Sequence, residues 1–590
     1  GLANGWHDWG AGFPWLLAEA VRSSLLRAAL VGGVFGLGYA ALRVLTRRAS
    51  GPLARGLVTL VAGGPALALA GYWANLGWGI RPSELLEPYS LWRNGALVVA
   101  GVLVLAFWFW REHLAEEGES EVRPPGWGAP GLLVVALAGL GAACAWAYRV
   151  PEPQPPTPVL IFLIDALRAD ELSVSGYPKA TTPALDVFAR DAVRFRQAIA
   201  QSTFTKSSVA SLFTGRNPYQ HGLYWGTQRE ASGRIRSDVL VEEETTLAEV
   251  FRDHGYLTSA WVQNSHLRSF MGFAQGFVDY HDQQGSVERI ASRLEPFLAG
   301  PGRRYGFFGY VHFIDLHDPY RPPPPYDRLF ARGLDVYRGI DFAEWGAFLD
   351  QVRKGERRLS EAELAELRGL YDGQLRRVDD RLGQIFARLK ASGLYDRSLI
   401  VVTADHGDGF GEHGFISHST TPYEELVRVP LLLKLPGNRH AGQVVGEQVR
   451  LIDLAPTLYD ALGWKRRSEL AGCSLLPLLA TGESSAEREA AWPPACRTAV
   501  TEIAEEGAEP ALALRTEELK LIHRSGGDEL YDLLADPAER HNRIATPGPE
   551  GERLLALAAT LVEARKASSS RQIQLDERVI RELKALGYVK

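Results

Sequence analysis

The pattern of apolar and polar positions changes near residue 150. Before that point, four long apolar stretches with few charges are separated by short polar segments, at about residues 28–45, 57–72, 96–110 and 131–148. Each stretch approaches the roughly 20 residues that cross a bilayer as a helix, and aromatic residues gather at the ends. The pattern predicts about four transmembrane helices over residues 1–150, with buried core helices as the alternative.

Arginines are concentrated in the first loop between the predicted membrane helices. Arg47, Arg48 and Arg55 lie there beside Arg43, whereas the second loop has only two arginines. The positive-inside rule therefore places the first loop in the cytoplasm and, with four spans, the rest of the chain on the other side. We predict a multi-pass protein of the bacterial cytoplasmic (inner) membrane, with residues 159 onward in the periplasm or outside the cell. The chain begins with glycine and has one methionine, so a missing N-terminal segment stays open.

From residue 159 onward, short apolar runs alternate with stretches of helical periodicity. The apolar runs lie at 159–164, 258–262, 307–314, 399–403 and 429–435, and the helical stretches at 183–193, 247–254, 286–298, 361–391 and 454–462. This alternation predicts an α/β domain with a mostly parallel sheet and helices on both faces. We place the domain at 159–500, after a proline-rich linker at 151–158, and expect a C-terminal sheet subdomain and tail at 501–590, built around 520–532.

Three of the predicted strands are followed by ionisable residues. Asp165 follows the first run, Asp315 and His317 follow the third, and Asp405 and His406 follow the fourth. In such sheets, ligands bind beyond the carboxyl ends of the strands, where these side chains would meet. A single aspartate of this kind is often only a helix or turn cap, but three clusters in one sheet indicate a functional site.

A threonine opens a short predicted helix. The helix begins at Thr205 and is ended by Gly215, so the Thr205 hydroxyl lies at a helix N-terminus. Backbone N–H groups and the helix dipole favour an oxyanion at that position. An ordinary helix-capping threonine is the alternative.

The composition narrows the possible partners and crosslinks. A formal net charge of −6 gives no indication of a nucleic-acid partner. The three cysteines lack metal-ligand spacing, and Cys144 lies in an apolar stretch. At most one disulfide is therefore possible, between Cys473 and Cys496.

The segments around these residues resemble the motifs of the sulfatase family of the alkaline phosphatase superfamily. The sulfatase signature places Thr205 on the nucleophile position and is matched at Leu212, Thr214, Gly215, Pro218, His221 and Gly222. Other segments resemble further motifs of the family and occur in the same order along the chain, at residues 165–186, 246–258, 311–320, 403–430 and 529–542. The resemblance implies an alkaline-phosphatase-like α/β fold and a metal-dependent enzyme that acts on ester bonds.

Departures from the family pattern change the expected chemistry. Sulfatases convert a cysteine to formylglycine, a route closed to Thr205, so we expect direct attack by its oxygen, as in phosphoryl-transfer relatives. Ala166 replaces an expected acidic residue, and His406 stands where the family has asparagine. The resemblance then implies one divalent cation held by Asp165, Thr205, Asp405 and His406, as in lipoteichoic-acid synthases, phosphoethanolamine transferases and phosphonate monoester hydrolases. This mixed ligand set suits Mn²⁺ or Zn²⁺ better than Ca²⁺.

Several histidines are candidates for contact with the substrate. We predict that His317 and His418 protonate the leaving oxygen and bind the ester oxygens, with ordinary loop histidines as the alternative. A second metal held by Asp315, His317 and another histidine, as in two-zinc phosphodiesterases, also stays open. His413 and His221 fit the motifs, but motif position alone does not place them in contact with substrate.

Two functional classes remain, with a non-catalytic envelope protein as the alternative to both. The first is cleavage of a phosphodiester, or transfer of its head group, at a membrane or an envelope glycan, which Thr205, Ala166 and the apolar stretches support. The second is hydrolysis of sulfate esters on envelope or extracellular glycans, which the flanking motifs support. The expected partners are the lipid bilayer and a lipid head-group or glycan ester.

Overall fold

The structure of the protein is a computed structural model. It describes residues 156–223, 227–229, 232, 234–283, 285–337, 345–479, 492–504, 510–566 and 571–585. The four apolar stretches of the N-terminal region, the loops between them and Cys144 lie outside the described residues. The division of residues 1–150 into membrane helices therefore stays a prediction.

The described chain alternates strands and helices over most of its length. The strands are β1 (Val159–Ile164), β2 (Val193–Ile199), β3 (Thr227–Arg229), β4 (Ile235–Val239), β5 (Leu257–Val262), β6 (Asp279–His281), β7 (Phe307–Phe313), β8 (Leu399–Thr403), β9 (Gly409–Phe410), β10 (Ile416–Ser417), β11 (Arg428–Lys434), β12 (Val444–Arg450), β13 (Ala499–Ile503), β14 (Ala511–Arg515), β15 (Leu519–Arg524), β16 (Glu529–Asp532) and β17 (Arg571–Gln574). The helices are α1 (Pro183–Arg190), α2 (Thr205–Thr214), α3 (Pro218–His221), α4 (Leu247–Asp253), α5 (Val287–Ala299), α6 (Pro301–Arg304), α7 (Trp345–Arg353), α8 (Glu361–Ala391), α9 (Leu394–Arg397), α10 (Glu424–Val427), α11 (Leu454–Ala461), α12 (Pro494–Arg497), α13 (Gly548–Lys566) and α14 (Glu577–Ala585).

The largest sheet has eight strands in the order β12-β2-β11-β8-β1-β7-β5-β6. All neighbouring strands are parallel except β11, which runs antiparallel to both β2 and β8. The central strand β1 has the sequence VLIFLI and is buried along its whole length. A continuous apolar run of this kind is typical of a parallel strand covered on both faces. The predicted mostly parallel α/β sheet is confirmed.

Helices cover this sheet in two packed groups. The long helix α8 contacts α1, α5 and α9, and the short helix α2 contacts α4 and α11. Phe162 on β1 lies edge-on to Phe386 of α8, with ring centroids 5.8 Å apart. The main hydrophobic core joins buried residues of the sheet to those of both helix groups.

A smaller antiparallel sheet follows the domain that contains the eight-stranded sheet. Strands β13 to β16 pair in sequence order, and α13 packs against β14 and β15. Leu512, Leu514, Leu521 and Leu530 from this sheet form a core with Leu554 of α13. The predicted C-terminal sheet around residues 520–532 is confirmed, and it begins near residue 499, close to the predicted boundary.

A third sheet brings the end of the described chain back to its middle. Strand β17 pairs antiparallel with β4, which also pairs with β3. Helix α14 follows β17 and packs against the 3-10 turn at Ser265–Leu267. A disulfide between Cys473 and Cys496 ties the segment after α11 to the start of α12.

The described residues give no support to the predicted localisation. Among the residues that the structure describes, no helix combines the length and the apolar character that a bilayer crossing needs. The longest, α8, has 31 residues, but it is amphipathic, with glutamates and arginines along its length and one face buried against the sheet. The prediction of a multi-pass protein of the inner membrane with an external catalytic domain is therefore corrected.

Three strands of the main sheet, β2, β6 and β12, were not predicted from the sequence. The helix expected at 183–193 ends at Arg190, and Val193 begins β2 instead. In β2, arginines alternate with apolar residues. This pattern directly follows the helical periodicity of α1, so no clear boundary separates helix from strand in the sequence. The edge strand β12 has exposed positions that weaken its apolar signal, so it was not predicted.

Candidate active site

The first group of acidic and imidazole side chains lies at the ends of two adjacent strands. Strands β1 and β8 are parallel neighbours, with Leu163 opposite Thr403. Asp165 follows β1 directly, and Asp405 and His406 follow β8, so all three meet at the carboxyl edge of the sheet. Each of the three is completely buried.

Thr205 faces this group from the first turn of α2. Its hydroxyl oxygen lies 3.2 Å from Nε2 of His406 and 3.5 Å from Oδ2 of Asp165. The N-cap position of α2 belongs to Phe204, and no side chain caps this helix end. The hydroxyl of Thr205 therefore points at the strand ends, and the structure does not favour the helix-cap alternative.

Two carboxylate oxygens of the group have no hydrogen-bond partner. These are Oδ1 of Asp165 and Oδ2 of Asp405, and each lies 3.6 Å from Nε2 of His406. Nδ1 of His406 lies 2.9 Å from the Gly407 carbonyl, so it donates there and Nε2 presents its lone pair to the carboxylates. A ligating histidine is commonly fixed in this way. Buried, unpartnered oxygens beside an oriented imidazole fit a divalent cation.

The charges of the group perturb one another. Burial raises the pKa of Asp165, but the hydrogen bond from His312 and the nearby imidazoles outweigh burial and leave this pKa well below its usual range. Burial and the Asp165 carboxylate raise the pKa of Asp405. Burial opposes protonation of His406, yet Asp405 and Asp165 raise its pKa overall. Two carboxylates this close need a compensating positive charge.

Two residues that the sequence analysis missed hold Asp165 in place. Nε2 of His312 donates to Oδ2 of Asp165 at 3.0 Å, and the Asn264 amide donates to the same oxygen at 2.7 Å. The Tyr310 hydroxyl donates in turn to Nδ1 of His312 at 2.9 Å. His312 lies inside the buried strand β7, and a histidine in such an apolar run is the signal that could have revealed it.

A second polar group lies beside the first. The ring centroid of His418 is 4.4 Å from that of His406 and 4.6 Å from that of His317. His317 and His418 keep 6% and 5% of their surface exposed, whereas Thr205, Asp405 and His406 keep none. The two predicted substrate-contacting histidines therefore adjoin the first group through His406 and are slightly more exposed than it.

The acidic neighbour of these histidines is not the one that the sequence suggested. Oδ1 of Asp315 accepts from the Val287 backbone N–H at 3.1 Å and pairs with Arg377 at 3.2 Å. Asp318 lies with the histidines instead, its Oδ1 3.7 Å from Nδ1 of His418. The alternative of a second metal bound through Asp315 is thus not supported, because that carboxylate is held by Arg377.

Burial also sets the protonation of this second group. It lowers the pKa of His418 well below the usual value, and the neighbouring His406 and His317 lower it further. Burial raises the pKa of Asp408 to about 6. Oδ1 of Asp408 lies 3.4 Å from Nδ1 of His418, and Oδ2 accepts a hydrogen bond from Tyr320.

The two other motif histidines have structural partners. Nε2 of His221 lies 2.9 Å from the Ser211 hydroxyl, and burial lowers the pKa of His221 to about 3. Nδ1 of His413 lies 2.7 Å from Oε1 of Glu425. These contacts hold α2 and the loop after β9, as expected for residues whose motif positions did not place them on the substrate.

The lysine after the nucleophile position is completely buried. Nζ of Lys206 donates to the Asp238 carbonyl at 2.9 Å and to the Ser237 hydroxyl, both on β4. Burial lowers the pKa of Lys206 to about 8. These bonds connect the first turn of α2 to the three-stranded sheet that contains β17.

Comparison with known proteins assigns this arrangement to a family. The family model described as Sulfatase matches residues 157–464, which is more than half of the chain. The chain belongs to the sulfatase family. A second model, N-sulphoglucosamine sulphohydrolase, C-terminal, matches residues 411–566 and covers the small antiparallel sheet of this sulfatase-family protein.

Individual relatives support the same assignment. An ulvan-active sulfatase from Formosa agariphila is 24% identical over 435 residues, covering 67% of this chain and 79% of that protein. Human arylsulfatase A is 28% identical over 456 residues, covering 70% of this chain and 81% of that protein. The crystal structure of a phosphonate monoester hydrolase of Agrobacterium radiobacter superposes with a TM-score of 0.53 at 22% identity, covering 71% of this chain and 96% of that one.

The comparisons decide several sequence-based expectations. The protein is an enzyme of the sulfatase family that acts on ester bonds, with the alkaline-phosphatase-like α/β fold. Membership of this family gives no support to the predicted inner-membrane localisation. The narrower resemblance to lipoteichoic-acid synthases and phosphoethanolamine transferases, the metal identity and the roles of single site residues stay predictions.

Proposed function

We propose that this sulfatase-family protein hydrolyses a sulfuric ester with Thr205 as its nucleophile. The proposal rests on one observation above all: the Thr205 hydroxyl oxygen lies 3.2 Å from Nε2 of His406, at the edge of the sheet where Asp165 and Asp405 also end. Relatives named as sulfatases match two thirds of this chain or more, which supports sulfate esters as the substrate class.

The reaction proceeds in two displacements at sulfur. In the first, the Thr205 oxygen, its proton passed to water, forms a bond to sulfur while the bond to the leaving oxygen breaks. The leaving oxygen takes a proton from water and departs as the alcohol. In the second, water forms a new bond to sulfur, the bond to Thr205 breaks, and hydrogen sulfate leaves while the threonine oxygen regains a proton.

The chain positions the reacting atoms for this sequence. Asp165, Asp405 and His406 would hold a divalent cation together with the Thr205 oxygen. Such a cation lowers the pKa of the hydroxyl and polarises the ester. Thr205 opens α2, and the backbone N–H groups and dipole at a helix start favour negative charge. Asn264 and His312 keep the Asp165 carboxylate in one orientation.

We assign His317 and His418 to contacts with the ester oxygens, and we do not retain His418 as an acid. Burial lowers the pKa of His418 so far that the imidazole is neutral near pH 7. Nδ1 of His317 lies 2.6 Å from the Asp318 carbonyl and donates to it, which orients the ring. A neutral imidazole is a weak acid, so the role that we propose for His418 is binding of the ester oxygens.

A phosphodiester is the second candidate substrate, and Thr205 itself favours it. Threonine cannot form the formylglycine diol that lets a sulfatase release sulfate by elimination. A threonine ester must instead be cleaved by attack of water at the central atom, a route as open to phosphorus as to sulfur. The covalent intermediate would then be a phosphothreonine, and the second displacement would release a phosphomonoester.

A substrate panel with trapping of the intermediate tests both candidates. The protein would be loaded with Mn²⁺ or Zn²⁺ and assayed with an aryl sulfate and a diaryl phosphate, then quenched in acid during turnover for peptide mass spectrometry. We expect release of inorganic sulfate and a sulfated Thr205 peptide. A phosphorylated Thr205 peptide from the diester alone would replace the first candidate by the second. No adduct and no turnover with either substrate would contradict the proposed function.

A further inference from the structure

A cavity against the main sheet is lined by three arginines. It has a volume of about 340 Å³ and is formed by strands β2 and β11 together with the 3-10 turns that follow β1. Arg194 and Arg196 belong to β2, and Arg428 begins β11. None of the residues that we assign to the nucleophile, the cation or the ester oxygens lines this cavity. It therefore lies outside the active site, and we call it the arginine cavity.

Strand geometry brings the three arginines together. Arg194 and Arg196 are two positions apart in β2, so their side chains leave the strand on the same face. Strand β11 runs antiparallel to β2, with Leu432 opposite Arg194, and both of these residues line the cavity. Arg428 reaches the cavity from the first position of β11. The positive charges are thus placed by a pair of core strands and not by a loop.

The three guanidinium groups have no anionic partner in the part of the chain that the structure describes. Their side chains make no hydrogen bond and no ion pair there, and Nε of Arg428 is buried without an acceptor. Glu424 precedes Arg428, but its carboxylate pairs with Arg515 and Lys520. A buried donor without an acceptor is costly, so an acceptor from outside the chain would stabilise this arrangement.

The charge of the lining is unusual for this protein. The chain has a formal net charge of −6, yet the lining contains three arginines and no aspartate or glutamate. Burial lowers the pKa of Arg194, and the neighbouring Arg196 lowers it further. Both effects oppose the charged state, and a bound anion counteracts both.

The rest of the lining suits a compact oxyanion. A guanidinium group donates two parallel hydrogen bonds to sulfate or phosphate oxygens. The exposed hydroxyl of Ser175 makes no hydrogen bond within the described ranges and offers one more donor. The other lining side chains are apolar and provide no competing acceptor. A cavity of this size has room for a tetrahedral oxyanion together with several waters.

We propose that Arg194, Arg196 and Arg428 bind a sulfate or phosphate group outside the active site. The group is a free inorganic anion or a substituent of a larger anionic saccharide, since both present the same oxygens. Arg196 is exposed and the other two arginines are half-buried, so a group attached to a longer chain can enter from solvent. This binding goes beyond the proposed function and does not require a reaction at Thr205.

Calorimetry and anomalous scattering test the proposal on the full-length, metal-loaded protein. Sodium sulfate, sodium phosphate, a sulfated tetrasaccharide and its unsulfated form would each be titrated into the protein. Crystals soaked in sodium selenate, an analogue of sulfate, would be measured at the selenium absorption edge. We expect the three anionic ligands to bind and a selenium peak to lie among the three arginines. The unsulfated tetrasaccharide should give no signal at the same concentrations.

Variants assign the binding to the arginine cavity. Arg194→Gln combined with Arg196→Gln should remove the selenium peak from the cavity and weaken this binding at least about tenfold, because two charged donors are lost. Arg439→Gln is the matched control, since it also removes one exposed arginine but lies after β11 and outside the lining. It should bind the anions like the wild type. The single variant Arg196→Gln, checked by circular dichroism, serves if the double variant does not fold.

The outcomes also distinguish the two sources of the anionic group. A sulfated tetrasaccharide that binds more tightly than sulfate, and loses this advantage in the double variant, indicates a group carried by a saccharide. Equal affinities that fall together in the double variant indicate a free anion. Unchanged affinities in the double variant, equal weakening by Arg439→Gln, or selenium peaks only outside the cavity would each overturn the proposal.

Discussion

The hydroxyl oxygen of Thr205 lies 3.2 Å from Nε2 of His406, although the two residues are 201 positions apart in the chain. One begins a helix and the other follows a strand, and only the crossing of α2 over the carboxyl edge of the sheet brings them together. The contact makes Thr205 part of a buried polar group of carboxylates and imidazoles. Every prediction about the reaction depends on this placement.

Replacement of Thr205 separates its two expected roles. Thr205→Ala removes the nucleophile but only one of four candidate ligands, so turnover should fall at least about 1,000-fold while the protein still binds its cation. Thr205→Ser retains the hydroxyl and should keep measurable activity. Steady-state kinetics and metal analysis on the same preparations check both results. Substantial activity in the alanine variant would mean that Thr205 is not the nucleophile.

Removal of one carboxylate should affect the cation and the reaction together. Asp405→Asn weakens the ligand set and takes one negative charge from the site, so we expect loss of both bound metal and activity. Asp315→Asn is the comparison, because Asp315 also follows a strand but pairs with Arg377. That control should keep its metal and lose only stability, by about 1–3 kcal/mol. Equal metal content in the two variants would contradict the assignment.

His312 should act on the cation through Asp165. Its hydrogen bond to Oδ2 of Asp165 orients a proposed ligand, so His312→Gln should weaken metal affinity by about 10–100-fold. His221→Gln is a fair control, since His221 is also buried but contacts Ser211 instead of Asp165. Competition with a fluorescent zinc chelator measures both affinities. If the two variants weaken binding to the same extent, a general loss of stability is the better explanation.

Glu502 should make stability depend on pH. Burial raises its pKa to about 7, while the carboxylate accepts a hydrogen bond from the Tyr219 backbone at 2.6 Å. The folded state therefore keeps a proton that the unfolded state loses above about pH 4.5, so this contribution to stability is present below that pH and lost as pH rises through 7. Between pH 5 and 8 the loss should reach roughly 2–3 kcal/mol.

A substitution isolates that contribution. Glu502→Gln cannot lose a proton, so its urea-unfolding midpoint should fall less than that of the wild type between pH 5 and 8. The exposed Glu552 offers a control, and Glu552→Gln should behave like the wild type. Parallel pH profiles for all three proteins would exclude Glu502 as the source.

The local pattern of apolar and polar residues was enough to predict the main strands and the longest helix of the fold. The runs at 159–164 and 399–403 and the helix at 361–391 match β1, β8 and α8 residue for residue, because buried parallel strands and a capped amphipathic helix have strong periodic signals. The alternating arginines of β2 gave no such signal. Its strand form depends on pairing with β11 and β12, which lie more than 200 residues away.

The sequence predicted those site residues that belong to a recognisable motif. It could not predict residues whose position depends on tertiary contacts. Asp165, Asp405 and His406 follow strand ends whose adjacency is expected from the fold. The choice of Asp318 over Asp315 beside His418 depends on Arg377 of α8, which neutralises Asp315 from another element. Asn264 likewise reaches Asp165 across 99 positions, a contact that no local pattern records.

The third sheet has a consequence for how the protein is made in the cell. Strand β17, the last described strand, pairs with β4, and Gln572 of β17 also bonds Asp238 of β4 across 334 positions. Residues of β4 in turn hold Lys206, immediately after Thr205. Chains are synthesised from the N-terminus, and their domains fold as they emerge. The surroundings of Thr205 therefore reach their final form only after the residues of β17 have left the ribosome.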